Sequence, residues 1–361
     1  MQTVIRHRKP LSIFKEKLQS GNVTLGFLGG SITDAAPGHN WPEAVVAWLV
    51  DAYADVRFKV ENAGIGATGS DLAVFRAKRD ILDRGCDLVF VEYAVNDYFE
   101  PNSKRARSRE GLIRRLLSAG IEVVLVYTYI QEMYEDMAAG RVPDSIAEFE
   151  RIAEHYGIGS VWMGLHAFDE VRRGIMKWEE WLPDGLHPTH RGSLSYAQSV
   201  IRFLEKELSI EVSKSSGSSP LPAPLEPLAW ENVERLSFDD VQGSGPWTIR
   251  RSSNSCWMDQ LLSTSAVGAK LEFAFTGRGL AMAFDFGKTS SEFRYRVDGG
   301  EWQLSGRDRP NWCPDRGWYR LFLIADELPD GPHRCEVEVV HGNREGCTGT
   351  RFDLAFIGEI R

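Results

Sequence analysis

The sequence has few cysteines, no excess of basic residues and no long hydrophobic run, and each shortage excludes a class of protein. Its five cysteines are an odd number, and their spacings match no zinc motif. A formal net charge of −9 argues against broad binding to nucleic acids or anionic membranes, which needs a basic face. No stretch approaches the length needed to cross a bilayer, and no signal-type apolar segment follows MQTVIRHRKP. We therefore expect a cytoplasmic protein with reduced thiols and no nucleic-acid or membrane partner, with a homo-oligomer left open.

The order of hydrophobic patterns indicates two domains, as a length of 361 residues also suggests. Over about the first 210 residues, strand and helix patterns alternate about five times, which is typical of a parallel sheet covered on both faces. Residues 213–229 are rich in Ser and Pro and indicate a linker. Short alternating runs follow, separated by glycine turns, as in a β-sandwich. We predict an α/β domain at 1–212, the linker at 213–229 and a jelly-roll-like sandwich at 230–361.

Local patterns also predict individual elements. Asp298-Gly299 and Asp330-Gly331 are turn signals of the hairpin type. Apolar spacing, caps and glycines predict helices over 42–53, 70–84, 103–119, 144–156, 167–176 and 192–208.

A serine follows the first predicted strand of the α/β domain. Val23 to Leu28 form an apolar run, and Gly29 and Gly30 allow a sharp turn directly before Ser31. Ser31 would thus lie at the carboxyl edge of the sheet, where ligands bind in open α/β folds. It is either a helix cap or turn hydroxyl, or a nucleophile, which would need a base.

An acid and a histidine stand three residues apart late in the same domain. Asp184 and His187 lie in a loop that Pro183 and Pro188 stiffen. This spacing can place the carboxylate on Nδ1 of His187 and leave Nε2 to accept a serine proton. The alternative is that His187 only caps the next helix. His190 lacks an acid at a matching distance and is expected in that helix.

Two further segments offer hydrogen-bond donors for an anion. Asn96 follows the buried strand 87–92 and carries a side-chain NH₂ group. The glycine-rich turn Gly64–Gly69 offers backbone N–H groups. The alternatives are an Asx-turn at Asn96 and an ordinary strand-to-helix turn at 64–69.

Taken together and in this order, the four segments resemble the SGNH (GDSL-type) hydrolase family over residues 20–208. The resemblance implies a flavodoxin-like, doubly wound parallel sheet of about five strands. It implies that Ser31 is the nucleophile and that Asp184 and His187 complete a triad. The backbone N–H of Ser31 and the side chain of Asn96 would stabilise the oxyanion. The implied mechanism passes through an acyl-enzyme and needs no metal or organic cofactor.

The sequence departs from the family pattern at three places. Gly30 replaces the Asp of the GDS motif, and Ala94 stands where the family usually has Gly. The third oxyanion donor, a glycine N–H in the family, falls at Ala67, with Gly66 beside it. Because this donor is a backbone N–H group, it is retained when alanine replaces the family glycine. Gly-Gly-Ser variants resemble the branch rich in carbohydrate esterases.

The polar character of the loops near these residues favours a small acyl group on a polar alcohol. Asp34 and Asp97 lie beside the catalytic motifs, and the tryptophan-rich second domain offers Trp312 in a loop with Arg and Pro. We predict a serine esterase that removes acetyl groups from carbohydrates, with Asp34, Asp97 and Trp312 contacting a small-molecule or oligosaccharide ester. The alternatives are an acyltransferase, a lysophospholipase or thioesterase of the same fold, and a sugar-binding protein on a retired hydrolase scaffold.

Overall fold

The computed structural model describes residues 2–35, 38–210 and 220–361. It divides the chain into two compact units, the first ending at Glu231 and the second beginning at Asn232. Residues 213–219 of the predicted linker lie outside the described residues. The rest of that linker packs against the first unit.

Hydrogen bonds and close packing against the helix over Asn102–Ser118 help to hold this segment. The backbone N–H groups of Leu225 and Glu226 each donate to the Glu110 carboxylate at 2.7 Å. Trp230 is fully buried, and a Cβ on Gly111 would come within 2.6 Å of its backbone nitrogen. Glycine at position 111 therefore allows the chain to cross the helix closely.

The first unit contains one six-stranded sheet in the order β1-β6-β5-β4-β2-β3. Strands β2 to β6 are parallel, and β1 is antiparallel to β6. Its strands are β1 (Ile5–Arg6), β2 (Asn22–Gly29), β3 (Arg57–Asn62), β4 (Leu88–Glu92), β5 (Glu122–Val126) and β6 (Gly159–Val161). The predicted parallel sheet is confirmed, with six strands instead of about five. The additional strand β1 has only two residues and no hydrophobic run that could reveal it.

Ten α-helices are described in this unit, and they cover the sheet. The helices are α1 (Ser12–Ser20), α2 (Ser31–Asp34), α3 (Trp41–Ala52), α4 (Ser70–Ala77), α5 (Asn102–Ser118), α6 (Tyr134–Ala138), α7 (Asp144–Tyr156), α8 (Met163–Arg172), α9 (Trp178–Trp181) and α10 (His190–Ser209). Helices α3 and α8 pack on α10, whereas α4 and α7 pack on α5. Every residue of β4 is buried, as expected for a strand covered on both faces.

Two helices differ from the sequence prediction. The helix expected over 70–84 is α-helical only to Ala77 and continues as a π-helical turn, Lys78–Leu82. The helix expected over 167–176 begins at Met163, because the chain enters it almost directly from β6. By contrast, α7 has the predicted bounds and ends at Gly157, which has a φ of +72°.

The second unit is a sandwich of two antiparallel sheets, as predicted. One sheet has the order β15-β12-β17-β10-β9 with β7 also paired to β17, and the other has the order β14-β13-β16-β11-β8. Its strands are β7 (Val233–Leu236), β8 (Gln242–Ser244), β9 (Thr248–Arg250), β10 (Leu261–Thr264), β11 (Lys270–Gly277), β12 (Gly279–Phe286), β13 (Glu292–Val297), β14 (Gln303–Leu304), β15 (Trp318–Ala325), β16 (Gly331–Val340) and β17 (Phe352–Ile360). A core rich in phenylalanine lies between the sheets.

The two predicted hairpin turns differ in outcome. Asp298 and Gly299 have φ values of +53° and +69°, and they follow β13, which pairs with β14. Asp330-Gly331 does not close a hairpin, because β15 and β16 belong to different sheets. All five cysteines are free thiols, and Cys256 is the exposed one. Among the described residues, no helix combines the length and hydropathy needed to cross a membrane.

Candidate active site

The candidate residues collect where the direction of strand addition in the sheet reverses. Strand β2 lies between β3 and β4. The chain therefore adds β3 on one side of β2 and then adds β4 on the other side. Such a switch point opens a crevice at the carboxyl ends of the strands. Ser31 is the first residue of α2, directly after β2, and Asn96 follows β4. The fold thus brings these two side chains to one edge of the sheet.

A chain of hydrogen bonds joins Ser31, His187 and Asp184. Ser31 Oγ lies 2.9 Å from His187 Nε2, and His187 Nδ1 lies 2.8 Å from Asp184 Oδ2. A carboxylate only accepts hydrogen bonds, so Nδ1 must carry the proton of this contact. The Nε2 lone pair of the neutral ring then faces the serine hydroxyl. This arrangement allows His187 to withdraw the Ser31 proton.

The local sequence shapes the loop that carries His187. Gly185 has a φ of +80°, a conformation that glycine adopts without steric cost. The backbone N–H groups of Leu186 and His187 donate to Asp184 Oδ1 at 2.9 and 2.7 Å. Thr189 then caps α10 by accepting from the Gly192 N–H at 3.2 Å. The carboxylate therefore organises the loop and holds the imidazole at the same time.

Hydrogen bonding keeps the Asp184 carboxyl ionised. Burial raises its pKa, but hydrogen bonds from the His187 side chain and from the His187 and Leu186 N–H groups outweigh this. The pKa of Asp184 therefore lies below its ordinary value. An ionised carboxylate beside Nδ1 stabilises the imidazolium that forms when His187 accepts a proton.

Asn96 lies against the turn that precedes Ser31. A Cβ on Gly30 would come within 2.6 Å of Asn96 Cγ, so glycine at position 30 allows the Asn96 side chain to lie this close. This gives a physical reason for Gly30 in place of the Asp of the GDS motif. The Asn96 amide is half-buried, and its neighbour Asp97 donates its backbone N–H to the Tyr93 carbonyl at 3.0 Å.

The glycine-rich turn after β3 is tied to the Ser31 helix. Asn62 Nδ2 donates to the Thr33 carbonyl at 2.8 Å, and Asn62 Oδ1 accepts from the Gly64 N–H at 3.0 Å. The Gly66 N–H donates to the Asp34 carboxylate. Ala67 has a φ of +53°, in the region that favours glycine. This conformation agrees with the family glycine expected at position 67.

The three residues predicted to contact substrate lie in different settings. Asp34 is exposed at the end of α2. Asp97 is only 1 % exposed, and its carboxylate accepts from the Ser70 N–H at 2.9 Å and from Arg109 Nε at 2.8 Å. Both carboxylate oxygens of Asp97 are therefore engaged by other parts of the protein. Trp312 belongs to the second unit, where half of it is exposed.

Sequence reasoning overlooked Glu92, the last residue of β4. It is completely buried beneath the turn that carries Ser31, and its carboxylate accepts from Thr128 Oγ1 at 2.7 Å. The sequence held one signal for it: a charged residue closes the otherwise apolar run Leu88–Glu92.

Comparisons with known proteins gave one family match and matches to solved structures. Residues 27–193 match the family described as GDSL-like lipase/acylhydrolase. A two-domain esterase active on acetylated mannans, co-crystallised with mannopentaose, is 24% identical with a TM-score of 0.80, covering 98% of this chain and 96% of that chain. A second structure of a two-domain esterase active on acetylated mannans is 23% identical with a TM-score of 0.82 and the same coverage. No curated protein matches the sequence significantly. Residues 27–193 therefore form a domain that matches the GDSL-like lipase/acylhydrolase family, as the resemblance predicted.

Proposed function

We propose that the chain is a carbohydrate O-acetylesterase that uses Ser31, His187 and Asp184 as a catalytic triad. The observation that carries the proposal is the hydrogen-bond chain from Ser31 Oγ through His187 to Asp184, at 2.9 and 2.8 Å. It lies at the carboxyl edge of the sheet within the segment that matches the acylhydrolase family. No step of this reaction requires a cofactor.

The reaction follows two acyl-transfer steps. Ser31 Oγ attacks the acetyl carbonyl carbon while His187 Nε2 takes the hydroxyl proton. The bond between the carbonyl carbon and the sugar oxygen breaks, and His187 returns the proton to the leaving alcohol. Water then attacks the acetyl-Ser31 ester and gives a proton to His187. Acetate leaves, and Ser31 recovers its proton from the same histidine.

Three donors would stabilise the oxyanion of each tetrahedral intermediate. They are the backbone N–H of Ser31, the backbone N–H of Ala67 and Nδ2 of Asn96. We favour Ala67 over Gly66 because the conformation of Ala67, with a φ of +53°, suits a family glycine.

Replacing Asn96 tests this assignment. We expect Asn96→Ala to lower kcat about 100- to 1000-fold with little change in KM, because the donor acts mainly on the charge of the transition state. Asn96→Asp keeps the shape of the side chain but replaces the hydrogen-bond donor with an acceptor. The fall in kcat should therefore be at least as large as for Asn96→Ala. Steady-state kinetics on p-nitrophenyl acetate measure both variants. A raised KM with an unchanged kcat would contradict the oxyanion role.

The sugar part of the substrate is proposed from two observations. The two-domain esterases that share this fold along almost the whole chain are described as active on acetylated mannans. Trp312 presents a half-exposed indole, with the Arg320 guanidinium 5.5 Å from its ring centroid. An exposed aromatic face can stack on a pyranose ring, so we propose an acetylated oligosaccharide as substrate and Trp312 as one of its contacts.

We expect Trp312→Ala to raise KM for acetylated oligosaccharides about 3- to 10-fold, as the loss of about 0.5–1.5 kcal/mol of stacking implies. KM for p-nitrophenyl acetate should not change. Trp302→Phe is a matched control, because the Trp302 ring already lies 4.7 Å from the guanidinium groups of both Arg294 and Arg296. Equal KM values for Trp312→Ala and the unmodified protein would contradict a role for Trp312 in binding the oligosaccharide.

The substrate class itself is tested by acetate release. Acetylated manno- and xylo-oligosaccharides are compared with p-nitrophenyl esters of increasing chain length. Release from one sugar class, together with activity confined to short acyl esters, would support the proposal. Activity that rises with acyl chain length would reject it in favour of a lipid or thioester substrate. Acetyl transfer to an added acceptor sugar, instead of to water, would identify an acyltransferase.

A further inference from the structure

A buried carboxylate lies directly beneath the turn that carries Ser31. Glu92 ends β4, and its register partner in β2 is Gly29. Its exposed fraction is 0 %. The proposed mechanism uses no acid at this position, and burying an unpaired carboxylate is costly. The residue therefore calls for a physical explanation.

Three donors from two neighbouring segments face the Glu92 carboxylate. Thr128 Oγ1 donates to Oε1 at 2.7 Å from the chain just after β5. On the side of the nucleophile turn, Oε2 lies 3.3 Å from Thr33 Oγ1 and 3.5 Å from the Gly30 nitrogen. A Cβ on Gly29 would lie 3.1 Å from Oε2, so the turn rests closely on the carboxylate.

These donors suit the ionised form of Glu92. A carboxylate accepts hydrogen bonds only, and here it meets two hydroxyl groups and one backbone N–H. Thr33 Oγ1 itself accepts from Trp41 Nε1 at 3.2 Å, so its proton is directed to Glu92. A protonated Glu92 would present its own donor to one of these three groups, which would then lose its acceptor.

The surroundings place the ionisation of Glu92 within the range of normal assays. Burial raises its pKa to about 7, although hydrogen bonds from Thr128, Gly30 and Thr33 oppose this and the charge of Asp97 adds to it. The other titratable groups that interact with Glu92 are the phenols of Tyr93 and Tyr196. Both have pKa values raised by burial well above the range in which Glu92 titrates.

We propose that ionised Glu92 is a positioning residue for the nucleophile turn. By accepting hydrogen bonds from Gly30 and Thr33, it holds Ser31 in the orientation in which Oγ meets His187. Protonation of Glu92 on Oε2, the oxygen that faces Gly30 and Thr33, removes one of these bonds and lowers the reactivity of Ser31. This inference rests on the proposed role of Ser31 as nucleophile.

The test measures how fast a fluorophosphonate probe labels Ser31 between pH 5 and 9, which requires no knowledge of the substrate. In the unmodified protein the rate should rise with pH as Glu92 ionises. Glu92→Gln imitates the protonated form. We expect its rate at pH 8 to fall about tenfold and its profile to lack the rise that accompanies the ionisation of Glu92.

A stability measurement separates positioning from ordinary structural support. A buried acid whose folded pKa exceeds its unfolded value destabilises the fold as pH rises between those two values. The unfolded value is near 4.3 and the folded value is about 7. Glu92→Gln should therefore melt at a higher temperature than the unmodified protein at pH 8 while reacting more slowly. If Glu92 only supported the fold, Glu92→Gln would lower both the melting temperature and the labelling rate.

Two further variants complete the design. Thr128→Val removes a donor that stabilises the ionised form, so it should shift the Glu92 ionisation to higher pH and keep the high-pH rate. Glu122→Gln is the matched control, because Glu122 accepts the Ile13 and Phe14 N–H groups at the opposite edge of the sheet. Its profile should match that of the unmodified protein.

The outcomes distinguish the two proposals. If the probe does not label Ser31 in the unmodified protein, the proposed function fails. If Ser31 is labelled but Glu92→Gln and Thr128→Val both keep the unmodified pH profile, the proposed function stands and the role of Glu92 is overturned.

Discussion

Ser31→Ala is expected to lower esterase activity by about 10⁴-fold or more, because it removes the atom that would form the acyl-enzyme. The His187 imidazole, 2.9 Å from Ser31 Oγ, would then have no hydroxyl to activate. Binding of an acetylated oligosaccharide should persist, since alanine removes one oxygen from an edge built mainly by backbone turns. Acetate release and calorimetric titration with the oligosaccharide measure the two properties separately.

Covalent labelling makes this prediction specific to one residue. A fluorophosphonate should modify the unmodified protein once, and mass analysis of peptides should locate the label at Ser31. Ser20→Ala serves as a control, because Ser20 only donates to the Lys17 carbonyl on the exposed end of α1. Labelling of another residue, or substantial activity in a folded Ser31→Ala protein, would reject Ser31 as the nucleophile.

Arg109→Met is expected to destabilise the first unit by about 3–5 kcal/mol, since it would leave the Asp97 carboxylate buried without its cation. Both side chains are at most 1 % exposed and meet at 2.8 Å. Arg109 also donates to the Ser145 carbonyl at 2.9 Å and to Ser145 Oγ at 2.8 Å. At about 2–4 °C per kcal/mol for a unit of this size, the melting temperature should fall by roughly 10 °C. Differential scanning calorimetry measures the change.

Two variants show whether the buried charge is the cause. Adding Asp97→Asn to Arg109→Met removes the uncompensated charge and should recover part of the lost stability. Arg105→Met is the control on the same helix. Its partner Glu148 is 21% exposed and keeps Arg109, 3.2 Å away, as a second cation, so the loss of stability should be smaller. Equal losses for Arg105→Met and Arg109→Met, or no recovery in the double variant, would contradict the explanation.

Much of the fold could be predicted from the sequence because its patterns are local. Helix α7 has the predicted bounds, since its apolar spacing and Gly157 lie within one segment. The alternating runs of the second unit likewise predicted its longer strands. Strands β1 and β14 could not be predicted, because two residues carry no measurable periodicity. The Asp330-Gly331 turn was predicted wrongly, since a turn signal does not reveal which sheet receives the next strand.

The candidate site shows the same division. Ser31 and Asn96 could be selected from the sequence because parallel strands end at one edge, so motifs that follow strands are brought together. His187, between α9 and α10, was selected by its spacing from Asp184. Asp97 and Glu92 could not be assigned in this way. Asp97 is held by an arginine twelve residues away, and Glu92 contacts turns that follow two other strands.

The sequence by itself determined the α/β domain, the β-sandwich and the order of the motifs around Ser31, because periodicity and turn residues report on each segment alone. Only the tertiary structure decided which polar side chains are buried and what they contact. Asp97 contacts Arg109, and Glu92 lies beneath Gly30. The physical reason is that a polar residue at a strand end has the same local pattern whether it faces solvent or a buried partner. Packing between distant segments makes that choice.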